Sequence, residues 1–362
     1  MDLEERIELF RRVGEEIITE EELRELLIKK EHPIAYDGFE PSGLAHLPFA
    51  IYRVINLEDL IKAGVRFKLL IADWFAWINN KMEGDLEKIR KVGEYFVEVW
   101  KASGLDMSKV EILWSSDMVT NKDYWRYVLL IAKNTTLNRA IRALTIMGRS
   151  KKELQEVAQI FYPMMQVADI FWLEADICQL GLDQRRANML AREIGPKLGL
   201  WKPVIVSHHM LMGLEGLKEP EGYDEDKAID IAISSKMSKS KPESSIFIHD
   251  DEETIRRKIR RAYCPEKVVE NNPIMDYCKH IIFRKFKSFL VERKEKYGGD
   301  IEFWSYNELK RYYSEGSLHP LDLKEATANY LNQLIKPIRE HFEKDKRAKE
   351  LYELVKSYEV TR

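Results

Sequence analysis

Four stretches of the sequence carry residue types that could do chemistry. Ser234-Ser235-Lys236-Met237-Ser238-Lys239-Ser240-Lys241 sets three lysines and four serines within eight positions. Lys236 and Lys239 are close enough to reach one polyphosphate, and the serine hydroxyls and loop amides of Met237, Ser238 and Ser240 add donors to its oxygens. By composition alone the stretch also fits a solvated linker, so its meaning depends on partners elsewhere. The first partner is Tyr36-Asp37-Gly38-Phe39-Glu40-Pro41-Ser42-Gly43-Leu44-Ala45-His46-Leu47-Pro48-Phe49. A glycine turn (Gly38, Gly43) leading from a strand into a helix presents backbone amides to an anion. His46 stands at that helix start, where an imidazole can donate to a phosphate oxygen, although a lone histidine there is more often a cap or a core residue.

Two further stretches suit other ligands. In Phe161-Tyr162-Pro163-Met164-Met165-Gln166-Val167-Ala168-Asp169, helical spacing puts Tyr162, Gln166 and Asp169 on one face among apolar neighbours. That suits a pocket for a small polar ligand, or equally a buried hydrogen-bond network. Downstream, Gly181-Leu182-Asp183-Gln184-Arg185-Arg186 opens another helix. Near the far end, Gly316-Ser317-Leu318-His319-Pro320-Leu321-Asp322 is by itself a loop and helix cap, but an aspartate beside a ring system can also read an unstacked base.

These groups need a scaffold, and the pattern supplies one. Residues 2–30 look helical, with Thr19 as a cap before Glu20-Glu21-Glu22. Strands are expected over 33–38, 67–72, 110–114, 176–179 and 203–206, with helices at 47–62, 85–103 and 184–197 between them. The strand–helix–strand rhythm predicts an α/β fold, a Rossmann-like doubly wound parallel sheet. A helical insertion occupies about 117–162, and an all-α C-terminal domain follows. We place the boundary between 1–252 and 253–362. Asp73 follows an apolar strand near the expected site. His208 and His209 are adjacent and so point apart on a strand, as structural or near-nucleotide residues, with no zinc or other metal site implied.

Composition narrows the class. The chain of 362 residues is 45% hydrophobic and 33% charged, against about 25% charged for an ordinary soluble domain. No apolar run approaches the ~20 residues of a membrane span, and the charged amino terminus has no leader pattern, which places the protein in the cytoplasm. Cys178, Cys264 and Cys278 are scattered as reduced thiols. The net charge of −3 conceals an asymmetry. From Thr254 onward there are 24 basic and 17 acidic residues, a net of +7, which leaves −10 for the rest. A basic segment on an acidic body suits a polyanionic partner.

Lys236-Met237-Ser238-Lys239-Ser240 resembles the second signature of class I aminoacyl-tRNA synthetases, and the stretch around His46 resembles their first, usually His-Ile-Gly-His. Here Pro48 and Phe49 take the third and fourth places, removing a backbone donor and the second imidazole. With Tyr36 in its Gly-Phe-Glu-Pro-Ser-Gly context, Tyr162-Pro-x-x-Gln166-x-x-Asp169 and Asp183-Gln184-Arg185, the ordered set resembles archaeal-type tyrosyl-tRNA synthetases over nearly the whole chain. The resemblance implies activation of tyrosine by ATP, carried with Mg2+, to tyrosyl-adenylate, and transfer to the 3′-terminal adenosine of tRNA(Tyr) by a homodimer joined through the insertion. It implies that Tyr36 and Asp169 bind the phenolic hydroxyl and that Tyr162, Gln166 and Gln184 receive the α-amino group. His46, Lys236 and Lys239 would be catalytic, sharing ATP with Gly38, Gly43, Met237, Ser238 and Ser240. Arg139 and Arg186 would face the acceptor end, and His319, Pro320 and Asp322 the anticodon, with Asp322 on its guanine. The family stacks a Phe on that base; Ile281 stands at its place here, so either Phe283 substitutes or the stacking differs.

Three other readings compete. A tryptophanyl-tRNA synthetase has little use for both Tyr36 and Asp169 in an indole pocket. A different nucleotidyltransferase does not need a basic helical appendage with His-Pro-x-Asp. A synthetase-like RNA-binding protein without catalysis accounts for Pro48 and Phe49 but not for an intact lysine loop and amino-acid pocket.

Overall fold

The computed structural model describes residues 1–149 and 156–358; residues 150–155 of the expected insertion and 359–362 at the carboxy terminus lie outside the described residues. Six strands form the central sheet: β1 Gly14–Ile18, β2 Ile34–Phe39, β3 Arg66–Ile71, β4 Val110–Trp114, β5 Ile177–Cys178 and β6 Val204–His208. Their order is β1-β6-β5-β2-β3-β4. Strands β2 to β6 pair in parallel, with Tyr36 set between Lys68 on β3 and Cys178 on β5. Helices cover both faces of these strands, which is why β3 is apolar and buried over residues 69–71. From β2 the chain winds to β3 and β4 on one side and later to β5 and β6 on the other. A crevice therefore opens at the carboxyl ends of β2 and β5.

Residues 14–18 correct the expectation that 2–30 is helical up to the Thr19 cap as well as after it. The helix Leu3–Val13 stops before Gly14, and β1 pairs antiparallel with β6, Ile17 opposite Val206 and Ile18 opposite Ile205. Two adjacent β-branched residues favour that edge over a helix turn. Thr19 then caps the helix Glu20–Lys29 in a reciprocal box with Glu22, as the sequence suggested.

The helix Leu86–Ala102 buries Val92, Phe96, Val99 and Trp100 on one face. Gly93 allows its close approach to the sheet: a Cβ there would lie 2.6 Å from Trp114 and 2.7 Å from Ile71. After β4 the insertion contributes helices Lys122–Lys133 and Leu137–Ala143, and Ala158–Trp172 leads back to the sheet.

Beyond residue 250 the chain is mainly helical, with long helices at Glu252–Arg261, Pro320–Lys344 and Lys346–Lys356. A ribbon of β7 Phe289–Val291 and β8 Ile301–Phe303 lies among them, where the sequence suggested only helices and loops. Three-residue strands are too short to show a period. This segment packs on the sheet half. The Tyr277 hydroxyl donates to the Met212 carbonyl at 2.6 Å, Arg284 pairs with Asp59 at 2.8 Å, and His341 meets Glu98 at 2.8 Å. Among the described residues, no helix is long and apolar enough to cross a membrane.

Candidate active site

The crevice at the carboxyl ends of the strands is a cleft of about 440 Å³. Tyr36, Asp169, Gln184, His46, Lys236 and Lys239 all line it, with Asp169 close to Tyr36 and both lysines close to His46. Tyr36 comes from β2, and Tyr162, Gln166 and Asp169 come from the helix Ala158–Trp172, on one face as their spacing requires. Every expected tyrosine and ATP residue lines the cleft except Gly43. Gly43 shapes the turn instead, at a φ of 107° that a side chain would strain.

The Tyr36–Asp169 end is dry. Tyr36 is 1% exposed and Asp169 is likewise 1% exposed. The Tyr36 hydroxyl donates to the Gln166 carbonyl at 3.5 Å, and Asp169 Oδ1 accepts from the Tyr124 hydroxyl at 2.8 Å. Burial pushes the Asp169 carboxyl up to about 8, against the hydrogen bond from Tyr124 that lowers it. Burial and the nearby Asp169 push the Tyr36 phenol well above its usual range. A hydroxyl arriving between them would find both a donor and an acceptor. Tyr124 escaped the sequence reading because it lies in the insertion, and only the fold brings it to Asp169.

A second polar group lies beside it. Gln166 Nε2 donates to Gln184 Oε1 at 3.1 Å, and Gln184 Nε2 donates to the Ile146 carbonyl at 3.1 Å, so both side chains are held with fixed orientation. The Tyr162 hydroxyl donates to Glu40 Oε1 at 2.5 Å, and Asn79 Nδ2 donates to both Glu40 oxygens at 3.0 Å. Glu40 adds a negative charge suited to an ammonium group. It was in plain view as the acid of the glycine turn, yet its place was not foreseen.

Cations line the other end. The Lys236 ammonium donates to the Asp183 carboxylate. Half-buried Lys239 donates to Ser42 Oγ at 3.4 Å; burial and Lys81 push its amine down to about 7, against the pull of Glu40. His46 is buried, and burial, then Lys239 and Lys236, hold the imidazole neutral against the opposing pull of backbone hydrogen bonds at Met237 and at His46 itself. A neutral ring facing two lysines can donate to a phosphate without adding to their repulsion. The Gly38 amide is already taken by Asp37 Oδ1 at 2.8 Å, so that glycine contributes close approach in place of a free donor. Asp37 in turn pairs with buried Arg53 at 3.0 Å, and both line the cleft. Burial pushes the Asp37 carboxyl up, to about 7, while Arg53 pulls it down.

The remaining expected residues lie elsewhere. Arg139 pairs with Glu193 at 3.6 Å, and Arg186 pairs with Asp224 at 3.3 Å while donating to the Arg142 carbonyl at 2.6 Å. His319 caps the helix Pro320–Lys344, its Nδ1 accepting from the Leu321 amide at 3.1 Å. The Asp322 carboxylate in that first turn has no hydrogen-bond or ion-pair partner among the described residues. Ile281 is fully buried, and Phe283 packs on Phe289 and Tyr306. Asp73 is also buried, accepting from Ser115 Oγ at 2.6 Å and the Ser116 amide at 2.9 Å, in a network that joins two helix starts.

The two adjacent histidines do diverge. His208 faces Gln179 at 3.3 Å, whereas His209 turns to Asp276 at 2.8 Å and Glu15 at 3.3 Å. His209, Asp276 and His280 bring potential metal-ligand atoms within 4.8 Å of one another. Yet both ring nitrogens of His209 face carboxylates. Burial opposes its charge, but Asp276 and Glu15 outweigh it and raise the ring to about 10. The pairing of His209 with Asp276 fastens the end of β6 to the C-terminal segment.

Comparison with known proteins agrees with this geometry. The profile of the tRNA synthetases class I (W and Y) matches residues 29–336. "Tyrosine--tRNA ligase 1, cytoplasmic" of Arabidopsis thaliana is 50% identical over all of this chain and 90% of its own length. The tyrosine–tRNA ligase of Sulfurisphaera tokodaii is 48% identical over 95% of this chain and 94% of its own. The tyrosyl-tRNA synthetase of Pyrococcus horikoshii, solved with L-tyrosine, superposes with a TM-score of 0.89 at 42% identity, over 99% of this chain and 100% of that one. The chain belongs to the class I tRNA synthetases of the tryptophan and tyrosine group. Within that group its activity is that of the archaeal-type tyrosine–tRNA ligases, the ATP-dependent joining of tyrosine to its tRNA.

Proposed function

We propose that one cleft carries out both halves of the reaction, with its residues divided by the charge they meet. Tyr36 and Asp169 take the tyrosine hydroxyl, one as donor and the other as acceptor. Tyr162, Gln166 and Gln184 orient the α-ammonium, and Glu40 supplies its counter-charge. The tyrosine carboxylate oxygen then attacks the α-phosphorus of ATP, and the bond to the β-phosphate oxygen breaks to release pyrophosphate. No side-chain nucleophile is required. Catalysis is positioning plus stabilisation of the charge that builds on the phosphates, which falls to His46, Lys236 and Lys239. Mg2+ carried by ATP would share that charge; the hydroxyls of Ser238 and Ser240 complete the cradle beside Met237, whose amide is held by the Leu211 carbonyl, while Gly38 lies in the wall and Gly43 shapes the turn behind it. In the second step a ribose hydroxyl of the tRNA's terminal adenosine attacks the activated carbonyl, and AMP leaves.

The observation that carries this reading is that one cleft is lined both by the buried hydrogen-bonding groups Tyr36 and Asp169 and by the cationic Lys236 and Lys239. Outside the cleft, Arg139 and Arg186 serve the acceptor end of tRNA(Tyr), and His319, Pro320 and Asp322 serve the anticodon. Their support is the exposure of His319 and the unengaged Asp322 carboxylate in a net-basic segment. The 1–252 and 253–362 segments accordingly divide into a catalytic and an anticodon-binding unit. Leu129 and Leu137, 57% and 62% exposed on the insertion, suit the contact of a homodimer. Cytoplasmic location follows the relative from Arabidopsis, which carries that word in its name.

Rapid mixing of enzyme, tyrosine and ATP, with pyrophosphate release followed over one turnover, tests the assignment. His46→Ala is expected to slow adenylate formation about 10²–10³-fold, the usual cost of one lost transition-state donor, with tyrosine affinity unchanged. A normal rate with weakened tyrosine binding would place His46 elsewhere.

A further inference from the structure

Phe49 replaces the imidazole that the first signature usually carries, and the structure shows what the ring does there. It is 7% exposed, lies 5.0 Å from Trp100 in a stacked pair, and is 4.3 Å from the ring of Phe96. Lys239 Nζ stands 4.5 Å from the Phe96 centroid and 5.8 Å from that of Phe49, within reach of both quadrupoles. Its hydrogen bond to Ser42 ties it to the same signature turn.

The rest of the lysine loop is fastened on either side of this contact. The Met237 amide donates to the Leu211 carbonyl at 2.7 Å, and Ser245 Oγ donates to the Ser238 carbonyl at 2.6 Å. The two signature lysines are held differently. Lys236 is bound by a carboxylate, which any phosphate must displace. Lys239 has no carboxylate within ion-pair distance among the described residues, and burial together with Lys81 disfavours its charge. A ring face attracts an ammonium without occupying its N–H bonds, so those bonds stay available for phosphate oxygens. An imidazole at position 49 would instead set a further ionisable donor beside a crowded group of cations.

We propose that Phe49 and Phe96 form an aromatic seat that positions Lys239 at the phosphate end of the cleft, making Phe49 a positioning residue of the activation step. The proposal rests on the assignment of Lys239 to the phosphates given above. Its test is a double-mutant cycle of Phe49→Leu with Lys239→Ala, read by ATP–pyrophosphate exchange and by melting temperature. Phe49→Leu keeps an apolar side chain but removes the ring. It is expected to lower kcat/KM for ATP about 2- to 30-fold, the range of a partly to fully desolvated cation–π contact, with the KM for tyrosine unchanged. Phe49→Tyr, which keeps the ring, is expected to retain most of the activity.

Two further readouts distinguish positioning from packing. In the Lys239→Ala background, Phe49→Leu should cost little more, because the lysine it seats is gone. The alkaline fall of kcat/KM for ATP should move to lower pH in Phe49→Leu, because the ring faces favour the charged amine. Equal losses with and without Lys239, or an unshifted alkaline limb, would overturn the proposal. A Lys239→Ala enzyme of normal rate would instead overturn the phosphate assignment on which it stands. Should Phe49→Leu fail to melt cooperatively, Phe96→Leu enters the same cycle with the same expected coupling.

Discussion

Replacing Asp169 with Asn probes the account where it is most specific. The carboxylate is 1% exposed, and its Oδ1 accepts from Tyr124 at 2.8 Å. Asn keeps an oxygen for Tyr124 and nearly the same volume, so the variant isolates the charge offered to the substrate hydroxyl. Above pH 8, where Asp169 is ionised, the variant removes a hydrogen bond to a charged group, which contributes about 1.5–3 kcal/mol. At about 1.4 kcal/mol per factor of ten, kcat/KM for tyrosine relative to phenylalanine should fall about 10- to 150-fold. A pocket that hydrogen-bonds a hydroxyl can discriminate by roughly 10⁴–10⁵, so a residual preference should survive on Tyr36. Stability gives a second reading with a defined sign. Folding raises the Asp169 carboxyl from its usual value near 4 to about 8, so its contribution is fully present below about pH 4 and is lost as pH rises through 8. The melting temperature of Asp169→Asn relative to the parent should therefore increase between pH 5 and pH 8. Pyrophosphate exchange with both amino acids, and melting at both pH values, check the pair. Unchanged discrimination in a folded variant would refute the placement of the hydroxyl, and loss of a cooperative melt would make Asp169 a structural group.

Replacing Lys236 and Lys239 together with Ala should lower the activation rate at least about 10²–10³-fold while leaving the KM for tyrosine within about twofold, measured by single-turnover pyrophosphate release. Asp322→Ala should leave pyrophosphate exchange at the parent rate and reduce kcat/KM for tRNA charging about 5- to 150-fold, the cost of one lost base contact. Tyrosine binding at pH 7 should release a fraction of a proton, since the substrate hydroxyl favours ionised Asp169; calorimetry in two buffers of different ionisation heat reads this, and Asp169→Asn should abolish it.

The parts of the site that were legible in the sequence are those whose geometry is local. The helical spacing of Tyr162, Gln166 and Asp169, the turn at Gly43 and the lysine–serine loop each fix their own placement within a few residues. The parallel strands were legible because burial on both faces makes them apolar. The amino terminus was misread at 14–18 because an edge strand takes its hydrogen bonds from β6, nearly two hundred residues away, and leaves only two isoleucines as a local trace. Tyr124 and Phe96 were missed for a related reason. Each is one aromatic on an amphipathic helix, indistinguishable in sequence from core packing, and its role depends on which distant side chain the fold sets against it. Glu40 differs: its charge between Phe39 and Pro41 in the glycine turn was a usable signal. Phe49 stood in the sequence as a lost imidazole; its ring packs on Trp100 and Phe96, and the lysine beside it is what the sequence did not show.

The central claim is that a buried hydroxyl-recognising end and a cationic phosphate end share one cleft. ATP–pyrophosphate exchange measured separately with each of the twenty amino acids tests it most directly. The account predicts rapid exchange with tyrosine and, for phenylalanine, a rate lower by roughly 10⁴–10⁵ in kcat/KM. Exchange with tryptophan or phenylalanine comparable to that with tyrosine, or no exchange with any amino acid, would contradict it.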